Sequence, residues 1–248
     1  MPRQARRKSE SGIYHIMLRG INKQQIFEDE EDFQKFIQVL KECKAVSEYK
    51  LFAYCLMGNH IHMLIKPEKE PLELVFKRIG SRYVYWYNWK YRRTGHLFQD
   101  RYKSEPINDD SYFLTVLRYI HQNPFKAGLC KNMSEYIYSS YHEYVKEKHS
   151  NLIDADFAFG IADKTQLLDF FEESNNDVCL DISDSIRLND AEAKEIILKI
   201  SNCTNTTQVQ YLDASCRNEI IKKLKENGLS IRQICRLTGV SFGIVRKF

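Results

Sequence analysis

The chain has 248 residues, 43% of them hydrophobic and 28% charged, with a formal net charge of +4. That length can bury a real core and leaves room for more than one domain, and no apolar run approaches the ~20 residues of a membrane helix. The basic N-terminus lacks the apolar stretch of a secretion signal, and the seven cysteines form no C-x-x-C pair, which points to reduced thiols in a cytoplasm, not to disulfides or a zinc knuckle.

In chain order, Ile13 to Arg19 reads as a first strand ending at Gly20. Glu28 to Tyr49 carries Phe33, Phe36, Ile37 and Leu40 at helical spacing. Leu51 to Met57 is a second strand, and Gly58-Asn59 turns it into a third, His60 to Lys66. Pro67 and Pro71 stop that strand. Leu72 to about Tyr91 reads as a helix with Leu74, Val75, Ile79 and Tyr83 on one side. His96 to Ile107 is expected to be a strand. Asp109 or Asp110 can cap a helix from Ser111 to His121, which should end near Pro124 and Gly128. Strands interleaved with helices around a central hairpin predict an α+β fold, an antiparallel sheet covered by helices. Residues 136–201 are mixed and acidic, with a weak helical pattern over Ala191 to Ile200, and no role follows from them. Asn218 to Glu226, Ile231 to Leu237 and Phe242 to Phe248 then read as three helices, the last two capped by Ser230 and Ser241. Cys235, a small residue four before Gly239, fits the close corner of a helix-turn-helix. Ser241 and Arg246 would then be available to a DNA groove. The other reading is a small three-helix unit with no ligand.

Charge is unevenly spread. Arg3, Arg6, Arg7 and Lys8 precede any acid, and Lys77 to Lys103 holds eight bases against Asp100 alone. The same window holds Tyr83, Tyr85, Trp86, Tyr87, Trp89, Tyr91, Phe98 and Tyr102, side chains suited to stacking on single-stranded DNA or to building a core. Asp154 to Glu195 carries twelve acids and three bases, and Arg217 to the end eight bases and two acids. Two basic blocks around an acidic one suggest two surfaces for a polyanion; solvated faces are the plainer reading.

His60-Ile61-His62 is the most pointed motif. Strand period two places both imidazoles on one face, which is half of a metal site. Tyr119 and Asn123 are four apart, so they share one face of the following helix. Taken singly, each could be structural: Tyr119 as a core ring, Asn123 as a helix stop before Pro124. His121, at Tyr119 plus two, points elsewhere. Tyr102 and Tyr112 are weaker candidates as nucleophiles.

Four motifs occur in order: Arg19-Gly20-Ile21-Asn22-Lys23-Gln24, Met57-Gly58-Asn59-His60-Ile61-His62, Arg101-Tyr102-Lys103-Ser104, and Arg118-Tyr119-Ile120-His121-Gln122-Asn123-Pro124-Phe125-Lys126-Ala127-Gly128-Leu129. Together they resemble the single-tyrosine HUH transposases of the IS200-like superfamily, closest to the REP-associated tyrosine transposase branch, over roughly residues 8 to 145. Ile21 departs from the polar residue expected at its position. The resemblance implies a ferredoxin-like core with Mg²⁺ or Mn²⁺ held by His60, His62 and Asn123. It implies Tyr119 as the nucleophile that forms a 5′-phosphotyrosine on single-stranded or hairpin DNA, such as repetitive extragenic palindromes. Candidate DNA contacts are Arg3, Arg6, Arg7, Arg19, Asn22, Arg82, Arg92, Arg93, Arg101, Lys103, Arg118 and Lys126, with Ser241 and Arg246 in the C-terminal unit for duplex DNA.

The expected divisions are a transposase domain over 1–145, an acidic, mostly helical connector over 146–210 and a helix-turn-helix-like unit over 211–248. The expected protein is a cytoplasmic, nucleoid-associated monomer with no membrane contact. The alternatives are an inactive DNA-binding regulator that uses the C-terminal unit, and a hydrolase that uses activated water and leaves no adduct.

Overall fold

The computed structural model describes residues 6–146, 150–181 and 190–248. Arg3 lies outside the described residues. The first unit begins with β1 (Ile13–Arg19), α1 (Glu30–Ser47), β2 (Lys50–Met57) and β3 (His60–Lys66), followed by α2 (Leu72–Lys90), β4 (Lys103–Ile107) and α3 (Asp110–Lys126). The four strands form one antiparallel sheet in the order β2-β3-β1-β4. This is a βαββαβ arrangement of ferredoxin-like type, the α+β layer fold expected.

Local chemistry explains the boundaries. Asp29 caps α1 in a reciprocal capping box with Asp32, and Asp109 caps α3 by accepting from the Tyr112 N–H. Gly58-Asn59 makes the β2–β3 hairpin, and β3 is buried along its centre on both faces. The α1 and α2 helices pack on one another, while α3 lies against β2 and β3.

Two elements differ from expectation. The strand expected over 96–107 is ordered as β4 only from Lys103; upstream, Phe98 makes an isolated bridge to Gly20. The α3 helix continues through Pro124 to Lys126. Proline removes one helical N–H, but the chain beyond it closes the turn: Ala127 N–H donates to Asn123 O and Leu129 N–H to Pro124 O, each at 2.9 Å. Asn123 therefore remains helical, on the Tyr119 face.

The chain divides into two compact units, residues 1–181 and 182–248, so the compact boundaries differ from the divisions expected at 145 and 210. The acidic middle is the reason. Leu152, Ile153, Ala158, Leu167, Phe171 and Cys179 are buried in the core of the first unit, through α4 (Tyr141–Val145), α5 (Asp156–Phe159) and α6 (Lys164–Glu172). Most of its acids are exposed while its apolar residues complete the core.

The second unit contains α7 (Asp190–Ser201), α8 (Ala214–Glu226), α9 (Ile231–Thr238) and α10 (Phe242–Val245) around their own core of Ala193, Ile197, Val209, Ile221, Ile234 and Val245. Ser230 caps α9 through the Gln233 N–H, and Gly239 ends it with φ of +77°. The α10 helix is shorter than the expected 242–248 segment.

Candidate active site

The β1–β3 register builds the site. Met17 faces His62 and Arg19 faces His60 across the ladder, and on the other side of β1 His15 faces Glu105 of β4. Period two then places His15, Met17, His60, His62 and Glu105 on one face of the sheet. Tyr119 is on the helix that lies against that sheet. Its ring is 5.7 Å from the His62 ring and 5.9 Å from the His15 ring, both edge-on. The His60 and His62 rings are 5.2 Å apart. Asn123 follows Tyr119 by one turn.

Polar satisfaction shows where a ligand fits. His62 is fully buried, and its Nδ1 lies 3.0 Å from His15 Nε2. Among the described residues, His62 Nε2 and Asn123 Nδ2 are buried with no hydrogen-bond partner, a costly state for a structural side chain. His60 Nδ1 is 2.7 Å from Asn59 Oδ1, a bond that orients the ring. No group of three His, Cys, Asp or Glu side chains converges as a metal site among the described residues. A third protein ligand beside His60 and His62 would be the Asn123 carboxamide oxygen, and the open Nε2 of His62 fits a ligand's role.

Burial sets the ionisation states. It lowers His62 well below the ordinary imidazole value, with His15 and His60 adding to the effect. Burial also lowers His15, against the pull of Glu105. Both are therefore neutral near pH 7, as metal-site imidazoles must be. Burial raises the Tyr119 phenol above its ordinary value, Asp181 raises it further, and Asn123 acts in the opposite direction. The rival Tyr102 is buried beneath Arg6, and burial lifts its phenol to about 12. Tyr112 is tied to Glu105. His121 is fully buried, with Nε2 2.9 Å from Ser140 Oγ, away from the Tyr119 face as expected.

The expected DNA contacts are differently placed. Arg118 is only 7% exposed; its guanidinium lies over the Phe170 ring and donates to Asp177 and Glu173, each at 3.0 Å. Lys126 donates to Asn175 Oδ1 at 2.8 Å. The segment 173–181 therefore lies along α3 and engages both cations. Arg6 stacks 3.8 Å above the Tyr102 ring, and Arg93 donates to Gln24 Oε1. Arg82 is exposed and paired with Glu42. Arg7, Arg92, Arg101 and Lys103 are exposed, Arg19 is half-buried, and Asn22 is exposed in a left-handed turn with φ of +51°. Ser241 and Arg246 are exposed in the second unit. The aromatic run on α2 divides by helical phase: Tyr83 and Tyr87 are core residues, while Tyr85 and Trp89 are 79% and 73% exposed.

His15, Glu105 and Asp181 belong to this site and do not stand out in the sequence. The first two lie in strands, and register alone brings them into line with His62. Asp181 lies 62 positions beyond Tyr119 in the chain, and no local pattern links the two.

Residues 8–123 match the family model described as "Transposase IS200 like". Over that segment the chain is similar to the IS200-like transposases. Over 110 residues the chain is 31% identical to a Haemophilus influenzae protein assigned as a REP-associated tyrosine transposase. That match covers 40% of this chain and 62% of the relative, so the chain spans less than two thirds of the relative's length. The structure of a REP-associated tyrosine transposase bound to a REP hairpin superposes with a TM-score of 0.53 at 16% identity, covering 61% of this chain and 90% of the other. At that identity the likeness is one of fold. His60, His62, Tyr119 and Asn123 all fall within the matched segment. No helix among the described residues is long and apolar enough to cross a membrane.

Proposed function

We propose that this protein is a REP-associated tyrosine transposase that cleaves and rejoins single-stranded hairpin DNA through a 5′-phosphotyrosine on Tyr119. The observation that carries this reading is the Tyr119 ring held edge-on to His62 in the matched segment, with the Asn123 carboxamide one turn away beside the phenol. His60, His62 and the Asn123 carboxamide would hold Mg²⁺ or Mn²⁺, with imidazole nitrogens favouring Mn²⁺. When bound, the cation would polarise the scissile phosphate and offset charge that builds in the transition state.

The chain's own residues supply the rest. Tyr119 Oη attacks phosphorus; the P–O bond to tyrosine forms as the P–O3′ bond breaks, and the departing oxygen gains a proton. A phenol raised by burial has no standing population of phenolate at pH 7, so its proton must leave during attack. The Asp181 carboxylate beside the phenol can accept it. A covalent link conserves the phosphodiester bond energy, so a second 3′-hydroxyl can displace Tyr119 and rejoin the strand.

Arg7, Arg19, Asn22, Arg92, Arg101 and Lys103 are the candidate phosphate contacts on the first unit. Arg118 and Lys126 contact DNA only if segment 173–181 releases them. In the second unit, α9, the Gly239 turn and α10 would serve as a helix-turn-helix for duplex DNA, with Ser241 and Arg246 at its surface. The protein would act as a monomer.

Labelled hairpin DNA incubated with Mn²⁺ and run on a denaturing gel tests the reading. Cleavage with a protein–DNA adduct, lost in Tyr119→Phe and on chelation, is expected. Cleavage without an adduct would show hydrolysis by water. Binding without cleavage would favour an inactive DNA-binding regulator.

A further inference from the structure

Three side chains form a row across three strands. Glu105 on β4 is the direct cross-strand partner of His15 on β1, and His15 is the diagonal neighbour of His62 on β3. His15 Nδ1 lies 3.6 Å from Glu105 Oε2, and His15 Nε2 lies 3.0 Å from His62 Nδ1. Both histidines are fully buried. Glu105 is held in place by the Leu180 N–H, which donates to the same Oε2 at 3.0 Å, and by Tyr112. Beyond His62, Nε2 has no protein partner.

The proton count along this row has two solutions for neutral rings. In the first, His62 Nδ1–H donates to His15 Nε2, and His15 Nδ1–H points at Glu105. In the second, His15 Nε2–H donates to His62 Nδ1. That leaves the His15 Nδ1 lone pair facing a carboxylate, which only accepts. It also leaves His62 Nε2–H buried with no acceptor. Lone pair against carboxylate is repulsive, and a buried orphan donor costs roughly 1–3 kcal/mol. The first arrangement removes both penalties and leaves the Nε2 lone pair of His62 open for a ligand.

We propose that His15 is a positioning residue which, backed by Glu105, fixes His62 in its Nδ1–H tautomer and presents Nε2 as a metal ligand. This rests on the metal reading above. Outer partners of this kind orient ligating imidazoles and raise their basicity. His15 itself is unavailable as a ligand, because its Nε2 is occupied by His62 and its Nδ1 faces Glu105.

Two measurements on the full chain test the proposal. Long-range ¹H–¹⁵N spectra of the metal-free, ¹⁵N-histidine-labelled protein report tautomers directly. The proton is expected on Nδ1 of both His15 and His62; a proton on His62 Nε2 overturns the proposal. Calorimetric titration with Mn²⁺ then reads ligand quality without DNA. His15→Phe should weaken Mn²⁺ binding about 10- to 100-fold, and His15→Gln, which restores an acceptor near the Nε2 position, should recover most of it. Unchanged affinity in a folded His15→Phe protein refutes the role of His15 while leaving the metal site intact. Absence of Mn²⁺ binding in the wild type overturns the metal reading and the ligand role of His62 with it.

Discussion

Gly20 and Gly58 lie on the two turns that frame the histidine strand, and a methyl group should affect them very differently. Gly20 has φ of −63° and ψ of 142°, a conformation open to any residue, so conformational freedom does not explain it. Space does. A Cβ at Gly20 would lie 2.2 Å from the Gln24 carbonyl oxygen and 2.9 Å from Ile26 Cγ2. The carbonyl is backbone, in a turn closed by Gln24 N–H to Ile21 O at 3.0 Å, so relief requires moving the main chain. Gly20 N–H also donates to Asn59 O at 2.9 Å, which ties this loop to the residue beside His60. A Cβ at Gly58 would instead meet Gln25 Oε1 at 2.3 Å, the end of a flexible side chain that can rotate away. Overpacking costs typically 1–3 kcal/mol, and Gly20→Ala belongs at the top of that range. About 3 kcal/mol corresponds to roughly 6–12 °C in melting midpoint for a unit of this size. Gly58→Ala should move it by roughly 2 °C or less by the same scaling. Trp86 and Trp89 are the only two tryptophans and both lie in the first unit, so their fluorescence follows its melting alone. Equal midpoints for the two variants, or a larger loss in Gly58→Ala, would refute the steric reasoning.

Burial lowers His121 from 6.5 to about 3, so its neutral form is favoured on folding. The stability it contributes is complete above pH 6.5 and is lost as pH falls from 6.5 toward 3. Between pH 6.5 and 5 the loss should approach about 2 kcal/mol in the wild type, and His121→Gln, which keeps a donor for Ser140, should show a slope flatter by that amount in urea titrations at each pH. Asp177→Asn removes one partner of the buried Arg118 while Glu173 remains; a loss of about 1–2 kcal/mol in the tryptophan-monitored transition is expected, with Glu173→Gln costing less because Glu173 is more exposed. A protease should also cut segment 173–181 faster in Asp177→Asn, and equal cutting rates would show that the ion pair does not hold the segment. Gly239→Ala forces a side chain into φ of +77° beside the Gln210 amide. It should cost about 1–2 kcal/mol, lower hydrogen-exchange protection at Ile234 and Leu237, and leave the tryptophan transition of the first unit unmoved.

The sequence by itself determined whatever depends on local periodicity. Strand period two put His60 and His62 on one face, helical spacing put Tyr119 and Asn123 on another, and Asp109 and Ser230 marked helix starts, their side chains accepting from backbone N–H groups. Proline did not end α3 where its missing N–H suggested, because the bonds of Ala127 and Leu129 close the turn beyond it. Tertiary structure alone decided which faces meet. The β4-β1-β3 register places Glu105 and His15 in line with His62. Docking of residues 173–181 along α3 engages Arg118 and Lys126, which read as DNA contacts by charge alone. The acidic segment read as a connector for a related reason: net charge describes a segment's surface, whereas Leu152, Leu167 and Phe171 place it in the first core. Strand register and docking depend on contacts between residues far apart in sequence, and no spacing rule within one element carries that information.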